Sequence, residues 1–262
     1  MDAAAPGAGI WVETAHGRLH ARSWPAPDAD TARPPIVLLH DSLGCVELWR
    51  DFPGRLATAT GRRVIAYDRL GFGRSDPNPG RLGPDFVLEE ARGGLAAVLA
   101  RFDIGDFVAF GHSIGAGMAI TAAAAHPGTC RGVISESAQA LVEERTLAGI
   151  RAAQRQFALP GQMARLERYH GAKAAWVLDA WTGTWLSPGW ASWNLDAELR
   201  AASCPILAIH GEDDPYGCTR HPERIAALAG GPVTVRLLPG CGHVPHREQE
   251  PDVLRAVVAF LG

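Results

Sequence analysis

The chain has 262 residues, of which 47% are hydrophobic and 20% charged, with a formal net charge of -3 at pH 7. That mix builds an ordinary buried core and excludes fibrous and disordered classes. A mean hydropathy of -0.01 and the lack of any apolar run near membrane-spanning length exclude a transmembrane segment, and the mild acidity gives no electrostatic case for nucleic acid.

Residues 1–9 read as a loose tail. They lack the basic and apolar stretches of a secretory leader, so a cytoplasmic location is expected. Ile10–Thr14 and Arg18–Trp24 flank Ala15-His16-Gly17 and predict a hairpin. Pro25–Pro35 reads as a polar, Pro-rich loop. From there the chain alternates short continuous apolar runs with helical patterns. The runs are Pro35–His40, Arg63–Asp68, Phe107–Phe110, Gly132–Ser135, Pro205–His210 and Val233–Leu238, each the mark of a strand buried on both faces. Helices are predicted over Glu89–Arg101 and Asp252–Leu261. The pattern predicts an α/β fold with a mostly parallel sheet flanked by helices.

One connection breaks the alternation. Between Ser135 and Pro205 no strand-like run occurs, and helices are predicted over Val142–Phe157, Gly161–Tyr169, Ala172–Trp181 and Asp196–Ala202. A connection of this length is several times a normal βα loop. It is expected to be an insertion after the sixth strand, so that residues 1–137 and 203–262 form the core of one domain and 138–202 a helical cap.

The strongest chemical signal is Gly111-His112-Ser113-Ile114-Gly115, which follows a buried strand and opens a helix rich in small residues. A nucleophile elbow has this context: the turn lifts the Ser oxygen above the sheet at a helix N-terminus, where free N–H groups favour a developing oxyanion. A chance Gly-x-Ser-x-Gly in a chain with 30 glycines is the competing reading. A nucleophilic Ser needs a base and the base an orienting carboxylate. His210-Gly-Glu-Asp213-Asp214 ends one strand and Gly240-Cys-Gly-His243 follows the next, so Asp213 or Asp214, and His243 or His246, are open as acid and base.

With this order of Ser, acid and His, the chain resembles the α/β-hydrolase superfamily over nearly its whole length. The stretch Asp68-Arg-Leu-Gly-Phe-Gly-Arg-Ser75 is similar to that family's D-x-x-G-x-G-x-S. The resemblance implies Ser113 as nucleophile, Asp214 as acid through the family's G-x-x-D spacing, and His243 as base, with Asp213 facing solvent. It implies an oxyanion hole from the Ile114 N–H and from the loop after His40, where the family has His-Gly-x; here the donor falls on Ser42. Asp41 replaces the usual Gly, and Asp tolerates positive φ better than most residues. It also adds a carboxylate near the site. His112 is expected to pack beside the strands. His40, His112, His210, His243 and His246 show no helical i, i+4 pair, and the five cysteines (Cys45, Cys130, Cys204, Cys218, Cys241) no C-x-x-C. No metal, cofactor or disulfide framework is expected.

Five of the eight Trp residues, Trp176, Trp181, Trp185, Trp190 and Trp193, cluster in the insertion. Trp176, Trp181 and Trp185 are candidate substrate contacts; the competing reading is that each ring is core of a helical subdomain. The implied activity is a serine esterase for a small apolar or aromatic carboxylic ester. A carbon–carbon hydrolase of ring-fission products, a lactonase, amide, thioester or cofactor-free peroxidation chemistry, and a receptor with a retained triad are the alternatives. The partner expected is a small molecule, with neither nucleic acid nor membrane, and the sequence does not set the oligomeric state. The insertion is expected to set substrate choice and leave the chemistry to the sheet segments.

Overall fold

The computed structural model describes residues 9–26 and 33–262. The expected tail over residues 1–8 and the middle of the Pro-rich loop, 27–32, lie outside the described residues. Among the described residues, eight strands form one sheet: β1 (Ile10–Thr14), β2 (Gly17–Trp24), β3 (Ile36–Leu39), β4 (Val64–Tyr67), β5 (Phe107–His112), β6 (Cys130–Glu136), β7 (Ile206–Gly211) and β8 (Val233–Leu238). Their spatial order is β1-β2-β4-β3-β5-β6-β7-β8. The hairpin β1–β2 is antiparallel and β2 pairs antiparallel with β4; all pairs from β4 to β8 are parallel.

The apolar runs at β3 to β7 become strands because nearly every residue has a face to bury; β8 departs from the expectation of burial on both faces, because it is the edge strand and Val235 and Leu237 are exposed. In β3, Ile36 and Leu38 pack with α1 (Phe52–Thr60) and α11 (Glu250–Leu261) on one side of the sheet, while Val37 and Leu39 join the opposite core. That second core is organised by α4 (Ile114–Ala125), whose sequence IGAGMAITAAAA is buried around most of its circumference. A helix apolar all round belongs in an interior, and its small side chains let it lie close on β5 and β6. The helix expected over Glu89–Arg101 is two helices, α2 (Phe86–Arg92) and α3 (Gly94–Arg101), broken at Gly93 with φ -110° and ψ -81°. Adjacent glycines at 93 and 94 remove the helical bias there.

Between β6 and β7 the chain forms α5 (Glu144–Phe157), α6 (Met163–His170), α7 (Ala174–Trp185) and α8 (Asp196–Ala201). An isolated antiparallel bridge, Leu141 to Asn194, joins the two ends of this excursion. Leu195 N donates to Ala140 O at 3.0 Å and Val142 N to Trp193 O at 3.2 Å. Two more helices, α9 (Arg220–Leu228) and α10 (Pro245–Glu248), complete the fold. No described helix is long and apolar enough to cross a membrane.

The interior also holds ordered polar groups. Asp68, 1% exposed, follows β4; its carboxylate accepts hydrogen bonds from Val46 N at 2.6 Å and Arg74 N at 2.9 Å and pairs with His20 Nδ1 at 3.1 Å. Gly73 has φ 47°, and a Cβ there would meet the Asp68 carboxylate at 2.3 Å, so the turn requires glycine. Five buried histidines, His40, His112, His170, His210 and His221, are held below the ordinary imidazole range, in each case chiefly by burial; His112 and His221 fall to about 4.

Two predictions follow from this interior. Asp68→Ala strands the Val46 and Arg74 amides, and at about 1–3 kcal/mol per unsatisfied buried group the Tm is expected to fall by roughly 5–15 °C in a calorimetric scan. The histidines make stability acid-sensitive. Their folded values lie below an unfolded value of about 6.5, so the unfolded chain takes up protons first as pH drops, and stability is lost through that window. The Tm is expected to decline steadily from pH 6.5 towards pH 4; a flat profile between those values contradicts the neutral assignment.

Candidate active site

Ser113 sits at the junction of β5 and α4 with φ 58° and ψ -124°, a left-handed conformation that costs a non-glycine residue energy. The turn closes because its flanks are glycine. A Cβ on Gly111 would lie 2.0 Å from Gly115 O, and one on Gly115 would lie 2.2 Å from Leu39 O. Ser113 N donates to Glu136 O at 2.9 Å. Its Oγ donates to Gln139 Oε1 at 3.2 Å, and no described hydrogen bond joins it to His243.

The loop after β7 separates the two candidate carboxylates. Asp213 is exposed and Asp214 fully buried. Asp214 Oδ2 accepts from His243 Nδ1 at 2.8 Å and Oδ1 from Tyr216 N at 2.8 Å. Burial alone would raise this carboxyl; the hydrogen bond and charge of His243 and the Tyr216 amide outweigh it and hold it below the ordinary carboxylate range. His243 is fixed from several sides. Gly242 N and Val244 N donate to the two oxygens of Glu248 at 2.6 and 2.9 Å, and His112 Nε2 donates to His243 O at 2.8 Å. The Tyr216 ring meets the imidazole edge-on at 4.9 Å.

The other candidate base, His246, is turned away. Its N and Nδ1 donate to the oxygens of Glu136 at 2.8 and 2.5 Å, against Trp49. Among the described residues His112, Glu136 and His246 bring one potential ligand atom each within 4.8 Å of one another. Both Glu136 oxygens are engaged by His246, and His112 Nε2 by the His243 carbonyl, so the cluster ties the His243 loop to β5 and β6.

Ser113 and His243 open into one cavity of about 220 Å³, lined also by Asp41, Ser42, Gln139, Ile150, Trp181, Trp185 and Tyr216. Of the three candidate substrate contacts, Trp181 and Trp185 thus face the Ser113 cavity and Trp176 does not. Trp176 Nε1 donates to Gly80 O at 2.8 Å, its ring meets Phe72 at 5.4 Å, and it lines a separate hollow of about 340 Å³ beside Arg81 and Asp179. Trp190 stacks between Phe86 and Trp193 with 2% exposure and is core.

The loop after β3 needs no tolerance of positive φ at Asp41. Among the described residues the non-glycine positions with positive φ are Arg50, Asp103, Ser113 and Ser137, so Asp41 does not take a left-handed conformation. Its carboxylate instead folds over Gly44, where a Cβ would lie 2.0 Å from Oδ1, and its Oδ2 stands 4.0 Å from His112 Nδ1. The Ser42 and Ile114 amides donate to no described group. The insertion also reaches this loop: His170, at the end of α6, donates from Nε2 to Leu43 O at 3.0 Å and accepts at Nδ1 from Gly73 N at 2.9 Å. The sole lysine, Lys173, donates to the carbonyls of Phe72, Gly73 and Ser75. The insertion thus touches the loop after β3 through His170, a residue whose long-range partners no local sequence pattern reveals. The sequence offers Tyr169 and His170 as polar contacts without placing them; it does not single out Gln139, Tyr216, Glu136 or Glu248, for which a buried acid ending β6 and a Tyr two residues past Asp214 are the signals available.

A model described as the alpha/beta hydrolase family matches residues 36–257. Epoxide hydrolase B of Mycobacterium tuberculosis is 35% identical over 120 residues, which cover 46% of this chain and 32% of that protein, so the match spans about a third of its length. Among solved structures, proline iminopeptidase of Mycobacterium smegmatis superposes with a TM-score of 0.72 at 18% identity, over 97% of each chain. A thermophilic esterase from Thermogutta terrifontis gives 0.74 at 20% identity, over 97% of this chain and 98% of that one. These structural likenesses speak for the fold; with the family model covering most of its length, the chain belongs to the alpha/beta hydrolase family.

Proposed function

We propose that the protein is a serine hydrolase that cleaves small apolar or aromatic carboxylic esters. The observation that carries the reading is the Asp214–His243 hydrogen bond of 2.8 Å, at the wall of the same cavity that holds Ser113 in a strained turn. Ser113 at the elbow, where the resemblance implies an Asp in epoxide-opening members, favours ester cleavage.

In the resting protein Gln139 holds the Ser113 hydroxyl. Rotation about the Ser113 Cα–Cβ bond brings Oγ to His243, which takes its proton as Oγ attacks the ester carbonyl. Asp214 keeps the Nδ1 proton in place and stabilises the imidazolium. The carbonyl oxygen becomes an oxyanion held by the Ser42 and Ile114 amides. His243 then protonates the departing alcohol, leaving the acyl group on Ser113. A water, deprotonated by His243, attacks the acyl carbonyl, and the carboxylic acid leaves as Oγ regains its proton. Residues 138–202 act as a cap over this cavity, where Trp181, Trp185 and Ile150 offer an apolar wall to the substrate.

Ser113→Ala is expected to cut kcat on p-nitrophenyl esters by on the order of 10⁶ without lowering the Tm. A normal turnover rate in that folded variant refutes the reading. Asp214→Asn should lose about 10⁴, because the amide favours the wrong imidazole tautomer, while Asp213→Asn stays near wild type. On an ester panel of rising chain length, Trp181→Ala and Trp185→Ala are expected to shift the preferred acyl size, with discrimination changing by roughly 1–3 kcal/mol per methylene. Trp176→Ala should leave the kcat/KM profile in place.

A further inference from the structure

The Asp41 carbonyl carries an unusual load. It accepts from Gly44 N at 3.2 Å, from His40 Nδ1 at 2.8 Å and from Arg69 Nη2 at 3.0 Å. This oxygen belongs to the peptide whose N–H is Ser42. In a trans peptide C=O and N–H point in opposite directions. Three donors on the oxygen therefore aim the Ser42 N–H the other way, towards the cavity that Ser42 shares with Ser113. Hydrogen bonds through one amide also polarise it, so a charged donor on the oxygen makes the N–H a stronger donor.

Arg69 acts on this peptide twice. Its guanidinium reaches the Asp41 oxygen directly. Its backbone N donates to His40 Nε2 at 3.1 Å, which leaves the ring proton on Nδ1, the atom that faces Asp41 O. Arg69 is itself fixed, 3% exposed and stacked 4.2 Å over Phe72. Two residues further along the turn, Leu43 O is held by His170 from the insertion. The peptides on either side of the central Ser42–Leu43 unit are thus each bonded through their carbonyls.

We propose that Arg69 is a positioning residue for the oxyanion hole, presetting and polarising the Ser42 N–H through the Asp41 carbonyl, directly and by way of His40. This rests on the serine-hydrolase reading, since it assigns a task to that reading's oxyanion donor. The arginine touches neither substrate nor Ser113; it works through a single peptide unit.

The test uses the full chain acylated on Ser113 by a slowly hydrolysed cinnamoyl donor, with the acyl carbonyl stretch read by isotope-edited infrared difference. Alongside it, kcat and KM are measured on a p-nitrophenyl ester. Arg69→Met is expected to lower kcat by about 10–100-fold, less than the 10²–10³ for outright loss of an oxyanion donor, with KM nearly unchanged. The acyl carbonyl stretch should move to higher wavenumber, as its hydrogen bonding weakens. Arg69→Lys should recover part of both. Where the position 69 variants do not fold, His40→Gln, which withdraws the Nδ1 donor, should show the same upward shift to a smaller degree. A fall in kcat with an unmoved carbonyl stretch overturns the proposal and makes Arg69 merely structural, as does the absence of any change. If wild type forms no acyl-enzyme, the serine-hydrolase reading itself falls and takes the proposal with it.

Discussion

The constraint on which this molecule turns is the close backbone approach between β3 and the start of α4. Gly115 lies so near Leu39 O, and Gly111 so near Gly115 O, that no side chain fits at either position. That contact forces β3 and β5 to be neighbours despite their separation in sequence, and it forces Ser113 into a left-handed turn. The loop after β3 and the residue after β5 then emerge side by side. Ser42 on one and Ser113 on the other thereby come to line one cavity.

Around that point the loops at one end of the sheet are organised by carboxylates more than by apolar packing. Asp68 gathers the amides of Val46 and Arg74, Glu248 the amides on both sides of His243, Glu136 the amide and ring of His246, and Asp214 the His243 ring. Asp68, Glu136 and Asp214 are buried and Glu248 is exposed; a buried carboxylate that accepts several N–H bonds fixes loop geometry while its own charge stays solvated by the protein. Rigid loops of this kind suit a site in which donors have to stand ready before charge develops. The neutral imidazoles His40 and His170 serve the same end differently, each accepting at one nitrogen and donating at the other, which links two loops through one ring.

The fold was largely legible in the sequence because its signals are local. Strands buried on both faces leave continuous apolar runs; all six runs after the hairpin correspond to parallel strands, five of them buried and the edge strand β8 largely exposed. The break at Gly93 was missed because apolar spacing continues across it. In the candidate site, the spacing of Ser113, Asp214 and His243 was readable, and the burial of Asp214 beside an exposed Asp213 agrees with it. Residues that act through backbone atoms were not readable. Arg69 bonds a carbonyl, His170 a carbonyl and an amide, and Glu248 two amides; any partner residue type satisfies such contacts, so the sequence carries no pairing signal. Asp41 is legible in part for a related reason: its identity places a carboxylate at the Ser113 cavity, but its packing over Gly44 leaves no local signal. The tryptophans divide by geometry that composition cannot supply, with Trp181 and Trp185 facing the cavity and Trp176 and Trp190 engaged elsewhere.

The bridge between Leu141 and Asn194 gives the excursion between β6 and β7 a neck. Chain that leaves and returns at adjacent points adds closing entropy only as the logarithm of its length, so what lies beyond the neck can lengthen, shorten or be exchanged without pulling the strands apart. The scaffold is in that sense a socket, and the helices beyond it are replaceable fittings. The exchange has one condition attached. Because His170 holds the Leu43 carbonyl, a new fitting has to bring its own donor to that oxygen, or the recipient gains a different pocket above a loosened loop.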